Sequence, residues 1–162
     1  FAKEGLSAVV APEVEFYLTQ KMTDPDLPLQ PPIGRSGRPE VGRKSFSIDA
    51  VNEFDPVTED IYDYAEAQGL DIDTLIHEEG AAQLEFNFRH GDPLRLADQV
   101  FVFKRTVREA ALKHDINASF MAKPVADEPG SAMHIHISVL NTKAFWNNIS
   151  DRVDAQHACE PN

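Results

Sequence analysis

Alternation of apolar and polar positions marks three strands along the chain. Over residues 75–89, Leu84, Phe86 and Phe88 alternate with Gln83, Glu85, Asn87 and Arg89. A strand sends successive side chains to opposite faces, so one face is apolar and the other polar. Gly80, Ala81 and Ala82 form a small-residue turn, which makes this stretch a pair of short strands. Glu85 and, across the turn, Glu78 belong to its polar side. Residues 6–18 form a further strand, in which Val9, Val10 and Ala11 run together as in a strand covered on both faces. Its second half carries Glu13 and Glu15, two positions apart. In residues 133–139, His134, His136 and Ser138 alternate with Ile135, Ile137 and Val139.

Two stretches have helical spacing. Asp55-Pro56 offers a capping carboxylate followed by a proline that needs no amide partner. Val57, Ile61, Tyr64, Ala65 and Gln68 follow, and Gly69 supplies the stop. Asp92-Pro93 repeats the start signal, and Leu94, Ala97, Val100, Phe101, Lys104, Val107 and Ala111 make a stripe ending near His114. Residues 117–122 read as a strand and residues 45–49 as a short one. Residues 19–44 form a long loop held out of regular structure by Pro25, Pro28, Pro31, Pro32 and Pro39. Its basic island of Arg35, Arg38, Arg43 and Lys44 is either a solvated excursion or a flap over an anionic ligand. A turn at residues 127–131 leads into the histidine strand. Strands interleaved with two helices, with one hairpin, predict an α+β fold. It has a largely antiparallel sheet with a concave ligand-bearing face and helices packed on its back.

Composition narrows the function. The 162 residues suffice for one domain with a core, and 42% hydrophobic content excludes a disordered acidic tail. Lys plus Arg is 15 against 27 Asp plus Glu, a net charge of −12. That balance argues against a general nucleic-acid partner, which needs basic surface, and suits a collector of divalent cations. The single cysteine, Cys159, excludes an intrachain disulfide and fits a reducing, cytoplasmic location. No apolar run reaches membrane-spanning length and no signal-peptide pattern is present, so no membrane partner is expected. The opening Phe1 in place of methionine suggests a start other than the natural one.

Glu13, Glu15, Glu78, Glu85 and His134 make a mixed oxygen and nitrogen set on three apolar-backed strands. Mg²⁺ prefers oxygen, whereas Mn²⁺ accepts oxygen with imidazole. Four carboxylates exceed the need of one ion and repel one another without cations. Two ions sharing the cluster would remove that conflict and could clamp a phosphoryl group with its acceptor. Ion-paired surface carboxylates and a core-capping histidine are the alternative. No P-loop or dinucleotide fingerprint occurs. Ser131 and Ser138 lack a nucleophile elbow. Cys159 has no patterned partner. A paired-carboxylate glycosidase would have no use for the histidine strand.

These same residues carry a resemblance. Pro12-Glu-Val-Glu-Phe16, His77-Glu-Glu-Gly-Ala-Ala-Gln-Leu-Glu85 and Gly130-Ser-Ala-Met-His-Ile-His-Ile-Ser138 resemble the three signature stretches of the glutamine synthetase catalytic domain, in that family's order and separations. Phe120-Met-Ala-Lys-Pro124 is similar to the segment before its glycine loop. The likeness covers residues 1–140, a partial catalytic domain, and leaves 141–162 as an unassigned tail. It implies an ATP-dependent ligase that phosphorylates the γ-carboxylate of glutamate and lets an amine or ammonia displace the phosphate. It implies two or more Mg²⁺ or Mn²⁺ ions. By position Glu15, Glu78 and Glu85 match ligands of the first, and Glu13 and His134 match ligands of the second. Gly130 matches a glutamate-binding glycine. His136 and Ser138 match ATP contacts, and Asp73 falls where a nucleotide-binding glutamate often stands. Residues 29–38, 50–56 and 103–114, with Pro129 in the place of an asparagine, resemble the γ-glutamylputrescine and wider γ-glutamylpolyamine branch more than the ammonia users. The family's N-terminal domain and second catalytic half have no counterpart here. Little or no ligase activity is therefore expected of this stretch alone, and the resemblance to a family of stacked rings implies a ring-type homo-oligomer for the parent protein. Competing expectations are a metal- or nucleotide-binding module without catalysis, and a metal-dependent hydrolase on the same residues.

Overall fold

The computed structural model describes residues 2–22, 24, 26–40 and 44–141. Arg43, Pro25 and Cys159, and with them almost all of the 141–162 tail, lie outside the described residues. Among the described residues, five strands and three α-helices follow one another as β1 (Leu6–Gln20), α1 (Ile48–Asn52), α2 (Asp55–Ala67), β2 (Ile72–His77), β3 (Gln83–Phe88), α3 (Pro93–Lys113), β4 (Ile116–Ser119) and β5 (Met133–Asn141).

The long β1 organises the sheet. On one side it pairs with β3 from Glu13 to Tyr17, and β2 pairs with β3 beyond. On the other side β5 pairs with its first half, from Leu6 to Val14, and β4 with its end, from Tyr17 to Gln20. Every pairing is antiparallel, as the alternation predicts. Pro12 lacks an amide donor, and the β3 ladder begins only after it, at Glu13.

Val14, Phe16 and Leu18 of β1 and Leu84, Phe86 and Phe88 of β3 turn to one face. There they pack against Val57 and Ile61 of α2 and Leu96, Val100, Phe103 and Val107 of α3. The Phe86 ring lies 6.0 Å from Phe16, 5.3 Å from Phe103 and 5.4 Å from Tyr62, measured between centroids. Each such side chain removed from water contributes about 1.5–3 kcal/mol. This burial fixes the register of β1 and β3, because a one-residue slip would expose the whole apolar set. It thereby also fixes which residues stand on the opposite, polar face.

Several local expectations are corrected. Residues 45–49 contain no strand; α1 begins at Ile48, where Ser47 Oγ accepts from Ala50 N–H. Asp55 does not cap α2, whose N-cap is Phe54; its carboxylate pairs instead with Arg35 at 2.9 Å. Asp92 does cap α3, accepting from Arg95 N–H. The buried face of α3 runs through Leu96, Gln99, Val100, Phe103, Thr106, Val107, Ala110 and Ala111, while Leu94, Ala97 and Phe101 are exposed. β4 stops at Ser119, short of residues 120–122. On β5, Met133, Ile135, Ile137 and Val139 stay substantially exposed among the described residues. The loop after β1 is pinned at Gln30, Arg35 and Ser36, through Gln20 N–H to Gln30 O, Arg35 N–H to Glu53 O and Ser36 N–H to Glu53.

Candidate metal centre

The polar face of the sheet is assembled by strand register. Glu15 stands opposite Glu85 across the β1–β3 ladder, and Glu13 opposite His134 across the β1–β5 ladder. One ligand atom from each of Glu13, Glu85 and His134 lies within 4.8 Å of the other two. His134 Nδ1 is 3.6 Å from Glu13 Oε2 and 3.8 Å from Glu15 Oε1. Glu78 sits in the turn just past β2, close enough to act electrostatically with Glu15 and Glu13. Glu13, Glu15, Glu85 and His134, spread over more than a hundred positions of chain, therefore meet on one face, with Glu78 bordering them.

The electrostatics show their crowding. Burial, followed by the charges of Glu13, Glu78 and Glu15, pushes the Glu85 carboxyl up to about 7. Burial and then the Glu15 charge push Glu78 up as well. Carboxylates so arranged are poor company for each other and good company for a cation. The donor set of carboxylate oxygens with one imidazole nitrogen suits Mg²⁺ or Mn²⁺.

His136 Nε2 is 2.7 Å from Glu13 Oε1, which brings it to the edge of the cluster. Ser138 lies further along β5, opposite Val9. Asp73 is placed apart: its carboxylate is 3.5 Å from Arg89 Nε, and its charge acts on the Tyr62 hydroxyl. Gly130 is adjacent to the cluster through Gln83, whose Nε2 donates to Gly130 O at 3.1 Å and to Glu15 Oε2 at 2.9 Å. A β-carbon at Gly130 would stand 2.7 Å from Ala122 O, so only glycine allows the loop its hydrogen bond from Ser131 N–H to Ala122 O. Gly130→Ala is expected to displace this loop and to lower thermal stability by about 1–3 kcal/mol, read by calorimetry.

Three residues that shape the site are not singled out by the sequence reading. Gln83 also accepts from Gly80 N–H at 2.9 Å, so one buried amide ties together the hairpin turn, Glu15 and the glycine loop. Its position two residues before Glu85 on the polar face was the available signal. Tyr17, on the same face of β1, donates its hydroxyl to Pro129 O at 2.7 Å. Glu40, from the proline-rich loop, reaches the hairpin turn at His77 and Ala82, and nothing in its local sequence announces this.

Comparison with known proteins identifies a family. The family described as "Glutamine synthetase, catalytic domain" matches residues 1–159, a range extending past residue 140. The chain is 40% identical over 152 residues to "Gamma-glutamylputrescine synthetase PuuA" of Escherichia coli (strain K12), covering 92% of this chain and 32% of that protein. It is 36% identical over 138 residues to a glutamine synthetase of Pyrococcus abyssi, covering 85% of this chain and 29% of the other. Among solved structures, "GmaS/ADP complex-Conformation 1" superposes with a TM-score of 0.67 at 28% identity, over 85% of this chain and 30% of that one. The chain thus spans about a third of the length of the curated relatives it matches. With the family model matched along residues 1–159, 40% identity to a curated member over 92% of the chain and a fold shared with solved relatives, the chain belongs to the glutamine synthetase family, within the catalytic domain.

Proposed function

We propose that the protein carrying this chain is an ATP-dependent glutamate–amine ligase with a polyamine such as putrescine as acceptor. The observation that carries the reading is the meeting of Glu13, Glu85 and His134 within 4.8 Å from three separate strands. In this reading Glu15, Glu78 and Glu85 hold one Mg²⁺ or Mn²⁺, and Glu13 and His134 hold another. When bound, such ions supply neutralisation of phosphoryl and carboxylate charge, the main requirement of phosphoryl transfer. Gly130 receives glutamate, while His136, Ser138 and Asp73 serve ATP.

The chain's own residues prepare this arrangement. Glu15 Oε2 is occupied by Gln83 Nε2–H and Ala132 N–H, which leaves Oε1 as the oxygen free to act as a ligand. Tyr17 and Gln83 fasten the Pro129–Gly130 backbone beside the cluster. Fixing these dipoles beforehand lowers the cost of organising charge during reaction. In the reaction, a glutamate γ-carboxylate oxygen attacks the γ-phosphorus and ADP leaves. The amine lone pair then forms the C–N bond as phosphate departs with the C–O electrons, and the amine gives up a proton. The solved relative complexed with ADP supports a nucleotide partner. The identity to a putrescine-named synthetase, together with Pro129, supports the polyamine acceptor. A ring-type homo-oligomer in the cytoplasm accompanies this reading; no helix of the described residues is long and apolar enough to cross a membrane.

Phosphate release from ATP tests it, measured on the full-length protein with glutamate plus putrescine, glutamate plus ammonia, or glutamate alone. Release should require glutamate and an amine, with kcat/KM for putrescine exceeding that for ammonia by about tenfold or more. Equal or better use of ammonia would make the protein an ordinary glutamine synthetase. Release without glutamate would make it a hydrolase.

A further inference from the structure

At the turn that carries Glu78 lies a buried polar contact that the ligand set does not include. Glu40, on the loop between β1 and α1, has a side chain only 2% exposed, and His77, the last residue of β2, is fully buried. Glu40 Oε2 is 2.9 Å from His77 Nε2 and accepts from Ala82 N–H at 2.7 Å. The other ring nitrogen, His77 Nδ1, lies 2.7 Å from Glu78 O. One carboxylate oxygen therefore clasps both ends of the turn that carries Glu78, and the imidazole relays that clasp to the backbone of Glu78 itself.

The turn needs such a clasp. Ala82 has φ of 57°, the left-handed region that residues with a β-carbon seldom occupy. Conformations of this kind persist where surrounding contacts over-determine them. Ala82 is held at its N–H by Glu40 and at its carbonyl by Leu18 N–H at 2.9 Å. Gly80 is equally constrained, since a β-carbon there would stand 2.0 Å from Tyr17 Oη. Burying a carboxylate is costly unless partners are supplied, and here His77, Ala82 N–H and, at 3.9 Å, Lys44 Nζ supply them.

We propose that Glu40 and His77 are positioning residues that set the backbone of Glu78 relative to the other carboxylates, and so tie the proline-rich loop to cation affinity. This rests on the reading of Glu78 as a cation ligand. Neither residue belongs to the trio of converging ligand atoms, and both act through the turn. Partners that orient a ligand typically govern metal affinity by about 10–100-fold.

The test is a Mn²⁺ titration of the full-length protein by electron paramagnetic resonance, with Glu78→Gln and Glu13→Gln used to assign the two ion sites. Glu40→Ala should weaken the site that Glu78→Gln weakens by about tenfold or more, and leave the other within about twofold. Glu40→Gln keeps an oxygen for Ala82 N–H and should restore affinity to within about threefold, a rescue that loss of folding alone would not show. Should Glu40→Ala fail to fold, His77→Gln carries the same expectation, because its single amide cannot serve Glu40 and the Glu78 carbonyl together. A folded variant with both Mn²⁺ affinities unchanged, or weakened equally, overturns the positioning role alone. A wild-type protein that binds no Mn²⁺ overturns the cation reading of the cluster, and the positioning role with it.

Discussion

Glu85→Gln is expected to lose divalent-cation binding and, at the same time, to stabilise the cation-free protein at neutral and alkaline pH. The two effects have one cause. Glu85 is almost wholly buried, and burial with the charges of Glu13, Glu78 and Glu15 holds its carboxyl near 7. The folded state therefore keeps a proton on Glu85 that the unfolded chain, with an ordinary carboxyl near 4.5, has already released. Through this group the folded state loses stability as pH rises from about 4.5 to about 7, and the loss is complete above that window. Glutamine cannot ionise, so the variant lacks this slope; above pH 7 it should melt higher by about 1–2 kcal/mol once solvent screening is allowed for. The same substitution removes a charged ligand, and Mn²⁺ affinity should fall by more than about 100-fold. In the wild type, cation binding must displace that proton, so apparent Mn²⁺ affinity should climb between pH 6 and 8. Melting curves with and without Mn²⁺ across that range check both halves. A cation-free Glu85→Gln protein less stable than wild type at pH 8 would contradict the crowding on which the prediction depends.

Gln83→Leu should be the most damaging change to the fold near the site. Leucine preserves volume but leaves Gly80 N–H and Gly130 O without their partner and takes one of two donors from Glu15 Oε2. A buried polar group left unpaired costs about 1–3 kcal/mol; Gly80 N–H is such a group, whereas exposed Gly130 can turn to water, so a loss of about 2–3 kcal/mol is expected by chemical denaturation. Gln83→Glu separates packing from polarity: it keeps the acceptor for Gly80 while putting a further negative charge against Glu15. It should therefore destabilise more at pH 8 than at pH 5, whereas Gln83→Leu should show little such dependence.

Much of this was legible because a strand's period of two is rigid. Once Leu84, Phe86 and Phe88 are assigned to the core, Gln83, Glu85 and Asn87 have no choice of face. The same logic placed Glu13, Glu15, His134 and His136. The helix α3 was harder, because its buried face includes polar residues. Gln99 is buried with its amide on Asp71, and Thr106 with its hydroxyl on Gln68. The apolar Leu94 and Phe101 remain exposed. Counting only apolar positions therefore rotates the stripe away from the true face. Residues 45–49 misled for a different reason: a single helical turn capped by Ser47 leaves too short a pattern to separate from a strand. Glu40 was unreadable in principle. Its partners, His77 and Ala82, lie about forty positions away, and only the folded chain brings them within reach.

Anomalous diffraction from crystals grown with Mn²⁺, collected at the manganese edge, is the direct measurement. It should show at least one peak on the polar face of the sheet, about 2–2.6 Å from carboxylate oxygens of the Glu13, Glu15, Glu78 and Glu85 group, with His134 nitrogen as a neighbour. Peaks elsewhere on the surface, or none at saturating Mn²⁺, would contradict the convergence of these strands on shared cations.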